Sequence, residues 1–201
     1  MKPQPKIAAV LVCSCLAFVA LQSPLRAQSL LASADMTSQA LNNGTFDYTI
    51  HLHNDSSSSE SINTFWFAWV PDYYGYDLMS SSPTVTQSPA GWNPYVINNS
   101  YYYPDGFSIE FANNGGLSLG PGQTFTFAFN SADSPATLGQ TSPFFAVPTL
   151  TSFAYNSGPG YDPGAEFVVS ITPAPEPSTI AMIAVPLLYQ LLRQRHKHYV
   201  V

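Results

Sequence analysis

From Thr45 to His53 apolar and polar residues alternate without a break. Phe46, Tyr48, Ile50 and Leu52 fall on one side; Asp47, Thr49, His51 and His53 fall on the other. A period of two is the pattern of a strand with one buried face. Residues 106–112 repeat it with Phe107, Ile109 and Phe111, and residues 123–130 with Phe125, Phe127 and Phe129. The run 62–70 is aromatic on both faces, through Phe65, Trp66, Phe67 and Trp69. Further strands are expected at 149–156 and 166–171, with shorter ones at 84–87 and 95–98. Turn residues separate them: Asn54 to Glu60 with four serines, Asn113-Asn114-Gly115-Gly116, Leu119-Gly120-Pro121-Gly122, Gly158-Pro159-Gly160 and Asp162-Pro163-Gly164. No helical period lies between residues 28 and 171. Seven to nine short strands in this interval predict an all-β, Ig-like or fibronectin-like β-sandwich, with a small barrel as the alternative.

The pattern changes at both ends. Ile7 to Leu21 is a mostly apolar run of 15 residues behind Lys2 and Lys6, which reads as a signal peptide and predicts a signal helix. Small residues offer cleavage after Ala27 or after Ala34, and Ala27 lies closer to the apolar run. Such a leader implies the Sec export machinery and signal peptidase as partners. At the other end, Ile180 to Leu192 is 13 apolar-rich residues interrupted by Pro186. A helix needs roughly 20 residues to cross the hydrocarbon core, so this predicts a short, thin transmembrane helix held transiently. Arg193, Arg195 and Lys197, with His196 and His198, follow it as a basic stop that stays in the cytoplasm. The competing reading is a buried C-terminal helix, which the lack of a polar face disfavours.

The three parts Pro175-Glu176-Pro177-Ser178-Thr179, apolar run and basic cluster, in that order, resemble the PEP-CTERM sorting signal of Gram-negative bacteria. The resemblance implies recognition by an exosortase, a membrane-embedded cysteine protease or transpeptidase. It also implies removal of the tail and delivery from the inner membrane to the cell surface or extracellular matrix. The chain then divides into a signal peptide (1–27), an ectodomain (28–171), a Pro-rich linker with the sorting motif (172–179), a membrane segment (180–192) and a basic cytoplasmic tail (193–201).

Charge follows the same division. All six basic residues, Lys2, Lys6, Arg26, Arg193, Arg195 and Lys197, lie at the ends. Between Gln28 and Pro175 there is no Lys or Arg but there are eleven acids: Asp35, Asp47, Asp55, Glu60, Asp72, Asp77, Asp105, Glu110, Asp133, Asp162 and Glu166. An anionic domain has no cations to displace counterions, which excludes nucleic acid and disfavours phosphate ligands. Both cysteines, Cys13 and Cys15, fall inside the leader, so the ectodomain has no disulfide, thiolate site or cysteine nucleophile.

Candidate chemistry is sparse. His51 and His53 share one strand face near Asp47 and Asp55, a spacing that can present two imidazoles to a metal and more often is a solvated polar face. There is no His-Glu-x-x-His and no phosphate loop. Glu110 and Glu166 are the carboxylates on strands that a glycosidase would pair. The acidic turns 72–77 and 162–166 lack the spacing of a known calcium loop. No catalytic residue, metal or cofactor is assigned. Aromatics cluster where loops are expected: Tyr73, Tyr74, Tyr76, Trp92, Tyr95, Tyr101, Tyr102 and Tyr103. They either cap the sandwich ends or stack on the sugar rings of an exopolysaccharide. The expectation is an exported surface or matrix protein with a non-catalytic structural or adhesive ectodomain. A glycan-binding module using Tyr73, Tyr74, Tyr76, Trp92, Tyr101, Tyr102 and Tyr103 is the second reading, and a secreted hydrolase the third.

Overall fold

The computed structural model describes residues 29–71, 76–98, 106–156 and 161–173. The segments expected as leader, sorting motif, membrane segment and basic stop lie outside the described residues. Among the described residues no helix is long and apolar enough to cross a membrane.

Twelve strands are present among the described residues, more than the seven to nine expected. In chain order they are β1 (Ala32–Ala40), β2 (Phe46–Asn54), β3 (Thr64–Phe67), β4 (Trp69–Val70), β5 (Tyr76–Asp77), β6 (Thr84–Gln87), β7 (Trp92–Ile97), β8 (Ser108–Asn113), β9 (Thr124–Ser131), β10 (Thr151–Tyr155), β11 (Gly164–Val168) and β12 (Ser170–Pro173). One short helix, α1 (Pro135–Leu138), is capped by Ser134, whose hydroxyl accepts the Thr137 N–H.

The excess over the eight strands expected has four causes, one of them β5, which forms where a turn is expected. β1 was unforeseen, because its inward residues Ala34, Met36 and Ser38 give little apolar contrast with their neighbours. The run 62–70 is broken into β3 and β4 at Ala68, whose φ is 56°. The run 166–171 is divided between β11 and β12, which belong to different sheets.

The first sheet has the order β12-β1-β2-β9-β6 and the second β11-β10-β3-β8-β7. A two-stranded ribbon, β4-β5, stands beside them. All pairings are antiparallel except β1 with β12. The inner faces are what the alternation predicts. Phe65 meets Phe127 across the interface at 5.4 Å between ring centroids, Phe67 meets Phe129 at 5.0 Å, and Phe111 meets Phe127 at 4.5 Å. Rings from both sheets therefore interdigitate as a β-sandwich. Each fully buried ring contributes on the order of 2–3 kcal/mol, which suits a core built without disulfides.

The core also holds polar groups, several of them partnered through loops. Tyr48 is fully buried and donates its hydroxyl to the Asp133 carbonyl at 2.6 Å. Burial, then the Asp133 charge, pushes its phenol well above the usual range. The Asp133 carboxylate accepts the Ser80 and Ser81 N–H groups, both at 3.1 Å, and the Ser80 hydroxyl. Asp77 is buried and accepts the Ser108 hydroxyl at 2.6 Å.

Candidate functional site: an aromatic sheet face

In an antiparallel ladder, residues directly opposite one another share a face. The second sheet's registers therefore place Tyr95, Glu110, Trp66, Phe153 and Glu166 in one row across its outer face. The outward assignment follows from their neighbours: Phe65, Phe111, Ala154 and Phe167 are the inward residues of the same strands, and Phe65 stacks on both Phe111 and Phe167. The face turned away from the core is thus itself aromatic.

Ala68 adds another ring to it. Strict alternation would send Trp69 to the face opposite Trp66. The left-handed conformation of Ala68 interrupts the alternation, and Trp69 comes to lie on Trp66 with centroids 4.4 Å apart and planes 25° apart. A non-glycine residue held there costs about 1–3 kcal/mol and persists only where its surroundings fix it. Ala68 is fixed on both sides: its N–H donates to Ser152 Oγ at 3.2 Å and its carbonyl accepts the Leu78 N–H at 3.0 Å. Tyr161 is the other non-glycine residue with positive φ among the described residues, at 61°. It packs edge-on against Trp69 at 5.5 Å, Phe153 at 6.1 Å and Tyr155 at 5.2 Å. Both strained residues therefore border the same cluster. Gly164 permits this approach, because a Cβ there would stand 2.3 Å from Phe153 Cζ and 2.4 Å from the Tyr161 carbonyl.

The cluster is graded in exposure. Trp69 is covered, at 3 %, and Trp66 and Tyr155 are half-buried, while Tyr161 at 41 % and Tyr95 at 45 % stand out into solvent. The Trp66 indole N–H is covered and has no partner among the described residues. Glu110 is half-buried beside Trp66, and that burial pushes its carboxyl up. A chain of amides borders one end. Asn156 Nδ2 donates to Glu60 Oε2 at 2.8 Å, Asn63 Nδ2 to Asn156 Oδ1 at 2.6 Å, and Asn113 Nδ2 to Asn63 Oδ1 at 3.0 Å.

The residues expected to bind glycan from sequence are placed differently. Trp92 is not a loop aromatic. It opens β7, is 2 % exposed, and packs edge-on between Phe125 and Phe127 of the first sheet, with its indole N–H donated to the Leu117 carbonyl at 2.9 Å. It is a core residue. Tyr76 is half-buried in β5, with one face stacked on Phe145 at 4.0 Å. Tyr73, Tyr74, Tyr101, Tyr102 and Tyr103 lie outside the described residues, as do Pro175, Glu176, Pro177, Ser178, Thr179, Arg193, Arg195 and Lys197. The missed rings Trp66, Trp69 and Tyr161 had a sequence signal in part: a strand aromatic on both faces has one face too many for a single core.

The catalytic candidates are not assembled. Glu110 and Glu166 share a row but are separated by β3 and β10, three strand spacings. At about 4.8 Å each that is roughly 14 Å, beyond the roughly 5–9.5 Å of glycosidase carboxylate pairs. His51 and His53 lie on the other sheet, paired through Nδ1 with Thr126 and Thr124 hydroxyls, both at 3.1 Å. Gly116-Leu117-Ser118-Leu119-Gly120 has the Gly-x-Ser-x-Gly spelling of a nucleophile elbow but not its strand–turn–helix setting. The Ser118 hydroxyl there donates to Asn63 Oδ1 at 2.6 Å. Among the described residues no group of three or more His, Cys, Asp or Glu is placed to hold a metal.

No family model and no curated protein matches the chain. Two solved structures are aligned with it. One is a protein from Nocardia farcinica described as having an immunoglobulin-like fold, at 14 % identity, 68 % of this chain, 98 % of that chain and a TM-score of 0.33. The other is the biomass-sensoring module of the Rsgi2 protein of Clostridium thermocellum, described as resembling a family 3 carbohydrate-binding module of the cellulosome. Its values are 12 % identity, 69 % of this chain, 93 % of that chain and a TM-score of 0.34. Both likenesses are too distant to assign a role, and the sandwich is established by this chain's own strand pairing.

Proposed function

We propose that this chain is an exported cell-surface or extracellular-matrix protein, delivered through its C-terminal sorting tail, with a non-catalytic sandwich that serves as a structural or adhesive component. One observation carries the reading. The six Lys and Arg flank the two apolar end segments, and none lies in the span of the sandwich between them. With Lys2, Lys6, Arg193, Arg195 and Lys197 on the outer flanks and only Arg26 inside them, that is the charge pattern of a chain whose ends face the cytoplasm during insertion and whose middle is passed across.

The fold bears on both ends of the ectodomain. β1 starts at Ala32, and Leu30 is already buried, so cleavage after Ala34 would cut into the sandwich whereas cleavage after Ala27 leaves it whole. β12 reaches Pro173, so the sandwich runs two residues past the expected end at 171 into the segment expected as linker, and the motif begins at Pro175. The partners are then the Sec machinery, signal peptidase and an exosortase-type membrane protease. The precursor sits in the inner membrane and the product at the surface or in the matrix.

The test is fractionation of producing cells with intact-mass analysis of wild type and Glu176→Ala. Wild type should yield a chain from about Gln28 to about Pro175 outside the inner membrane, and the variant a chain still ending at Val201 within it. Release of Glu176→Ala at the wild-type mature mass would sink the sorting reading.

A further inference from the structure

We infer that the outer face of the second sheet is a binding site for an uncharged polysaccharide, with Trp66, Tyr95 and Tyr161 offering ring faces and Glu110 and Glu166 accepting hydrogen bonds from sugar hydroxyls. The inference rests on the adhesive reading above and names its ligand class.

The chemistry of the face selects among occupants. Tyr95 and Tyr161 are exposed and Trp66 is half-buried, over the covered Trp69 and Phe153, and apolar rings left open on a sheet mark contact sites. The row is not purely apolar, however. Two carboxylates sit in it, one half-buried among the rings. An occupant must satisfy those acceptors as it covers them, or pay for stranding buried charge. A second copy of the sandwich would bring eleven more acids and no Lys or Arg to pair with Glu110 or Glu166, since residues 28–175 contain none. An anionic polymer would add like charge to eleven acids. A neutral sugar has both required parts: C–H faces for the rings and O–H donors for the carboxylates. The row also has the right shape. It crosses all five strands, four spacings of about 4.8 Å or roughly 19 Å, which seats several sugar units of an extended chain. Exposure is greatest at Tyr95 and beside Phe153 at Tyr161, so the ring faces open to a ligand are spread along the row.

The experiment uses the full chain purified in a mild detergent, so its outcome does not depend on tail processing. Affinity electrophoresis is run in gels containing soluble β-glucan, α-glucan, mannan or galactan, with alginate as the anionic control. Retardation by a neutral polymer, and not by alginate, is expected. Tyr161→Ala and Tyr95→Ala should each weaken it about tenfold, one ring contact's worth. Trp66→Ala should abolish it, and because that change also removes packing, the two exposed tyrosines carry the decision. Near-UV circular dichroism checks that each variant is folded. Four results overturn the inference: no retardation in any neutral gel, retardation by alginate alone, unchanged retardation of a folded Tyr95→Ala/Tyr161→Ala double variant, or dimerisation in ultracentrifugation that the double variant abolishes. None of these touches the fractionation of Glu176→Ala, so loss of the ligand and loss of the sorting reading remain separable.

Discussion

The two sheets present matched inner faces and opposite outer ones. Inward, the first contributes Tyr48, Ile50, Phe127 and Phe129, and the second Phe65, Phe67, Ile109 and Phe111. Outward, the first sheet reads Ser170, Asp35, His51, Thr126 across one row, while the second reads Tyr95, Glu110, Trp66, Phe153, Glu166. An antiparallel sheet needs only one apolar face to be stable and normally gives the other to water. The first sheet does that. The second carries more aromatic surface than the core can use, held by two left-handed residues that each oppose folding. The inner faces hold the two sheets together, and the second sheet adds a further packed aromatic layer on its outer side.

The strongest way to break this contrast is to truncate the same layer on each side. Trp69→Ala removes a ring that touches Trp66, Phe153 and Tyr161 and is only 3 % exposed. It should cost about 3–5 kcal/mol, as in a core. Thr37→Ala, on the exposed face of β1, should stay within about 0.5 kcal/mol. Urea unfolding of both variants decides it. Similar midpoints would mean that the aromatic layer is not packed and that the second sheet has an ordinary outer face.

Legibility in the sequence follows the same asymmetry. β2, β8 and β9 were plain because large apolar residues alternate with polar ones, so the buried side is obvious. β1 is hidden because Met36 is the one large apolar residue on its inner side, beside Ala34 and Ser38. The break at Ala68 had no glycine or asparagine to announce a left-handed residue, so the strand was read through it. Trp92 falls where a loop is expected and so reads as an outward ring, when it in fact plugs the core from the start of β7. The outward face of Trp66 was visible as a doubly aromatic strand. The rings joining it were not, because Trp69, Phe153 and Tyr161 come from three segments that only the strand order brings together.

A smaller perturbation separates packing of the aromatic face from backbone strain. Gly164→Ala would drive a methyl group into the Phe153 ring and the Tyr161 carbonyl. Overpacking of this kind costs about 1–3 kcal/mol. Gly44→Ala, in the β1–β2 turn, meets open space and is opposed only by its φ of 82°, for about 1–2 kcal/mol. The energies overlap, so the spectrum discriminates. The near-UV signal of the stacked and edge-on rings should change in Gly164→Ala and stay as wild type in Gly44→Ala. An unchanged spectrum in both would remove Gly164 as the residue that lets Tyr161 approach Phe153.

The smallest effect concerns charge. Burial against the aromatic face raises the Glu110 carboxyl, whereas at the exposed turn after β2 the Ser57 hydroxyl and N–H, at 2.6 and 2.7 Å, hold the Asp55 carboxyl low. The two signs are opposite. Glu110 favours the folded state fully below the ordinary glutamate range, and that contribution is lost as pH rises through its raised value. Asp55 favours it above the ordinary aspartate range and loses that as pH falls through its lowered value. Glu110→Gln should therefore raise stability at neutral pH, within about 1 kcal/mol because solvent still screens the site. The gain should vanish in acid, where the wild-type carboxyl is already neutral. Asp55→Asn should lower stability at neutral pH and match wild type in acid. Thermal midpoints of both variants across pH 3 to 8 (roughly the carboxylate window and above) test the pair. A Glu110→Gln gain that persists in acid would come from packing rather than desolvation. The carboxylate would then not be the buried acceptor that sets the ligand chemistry of this face.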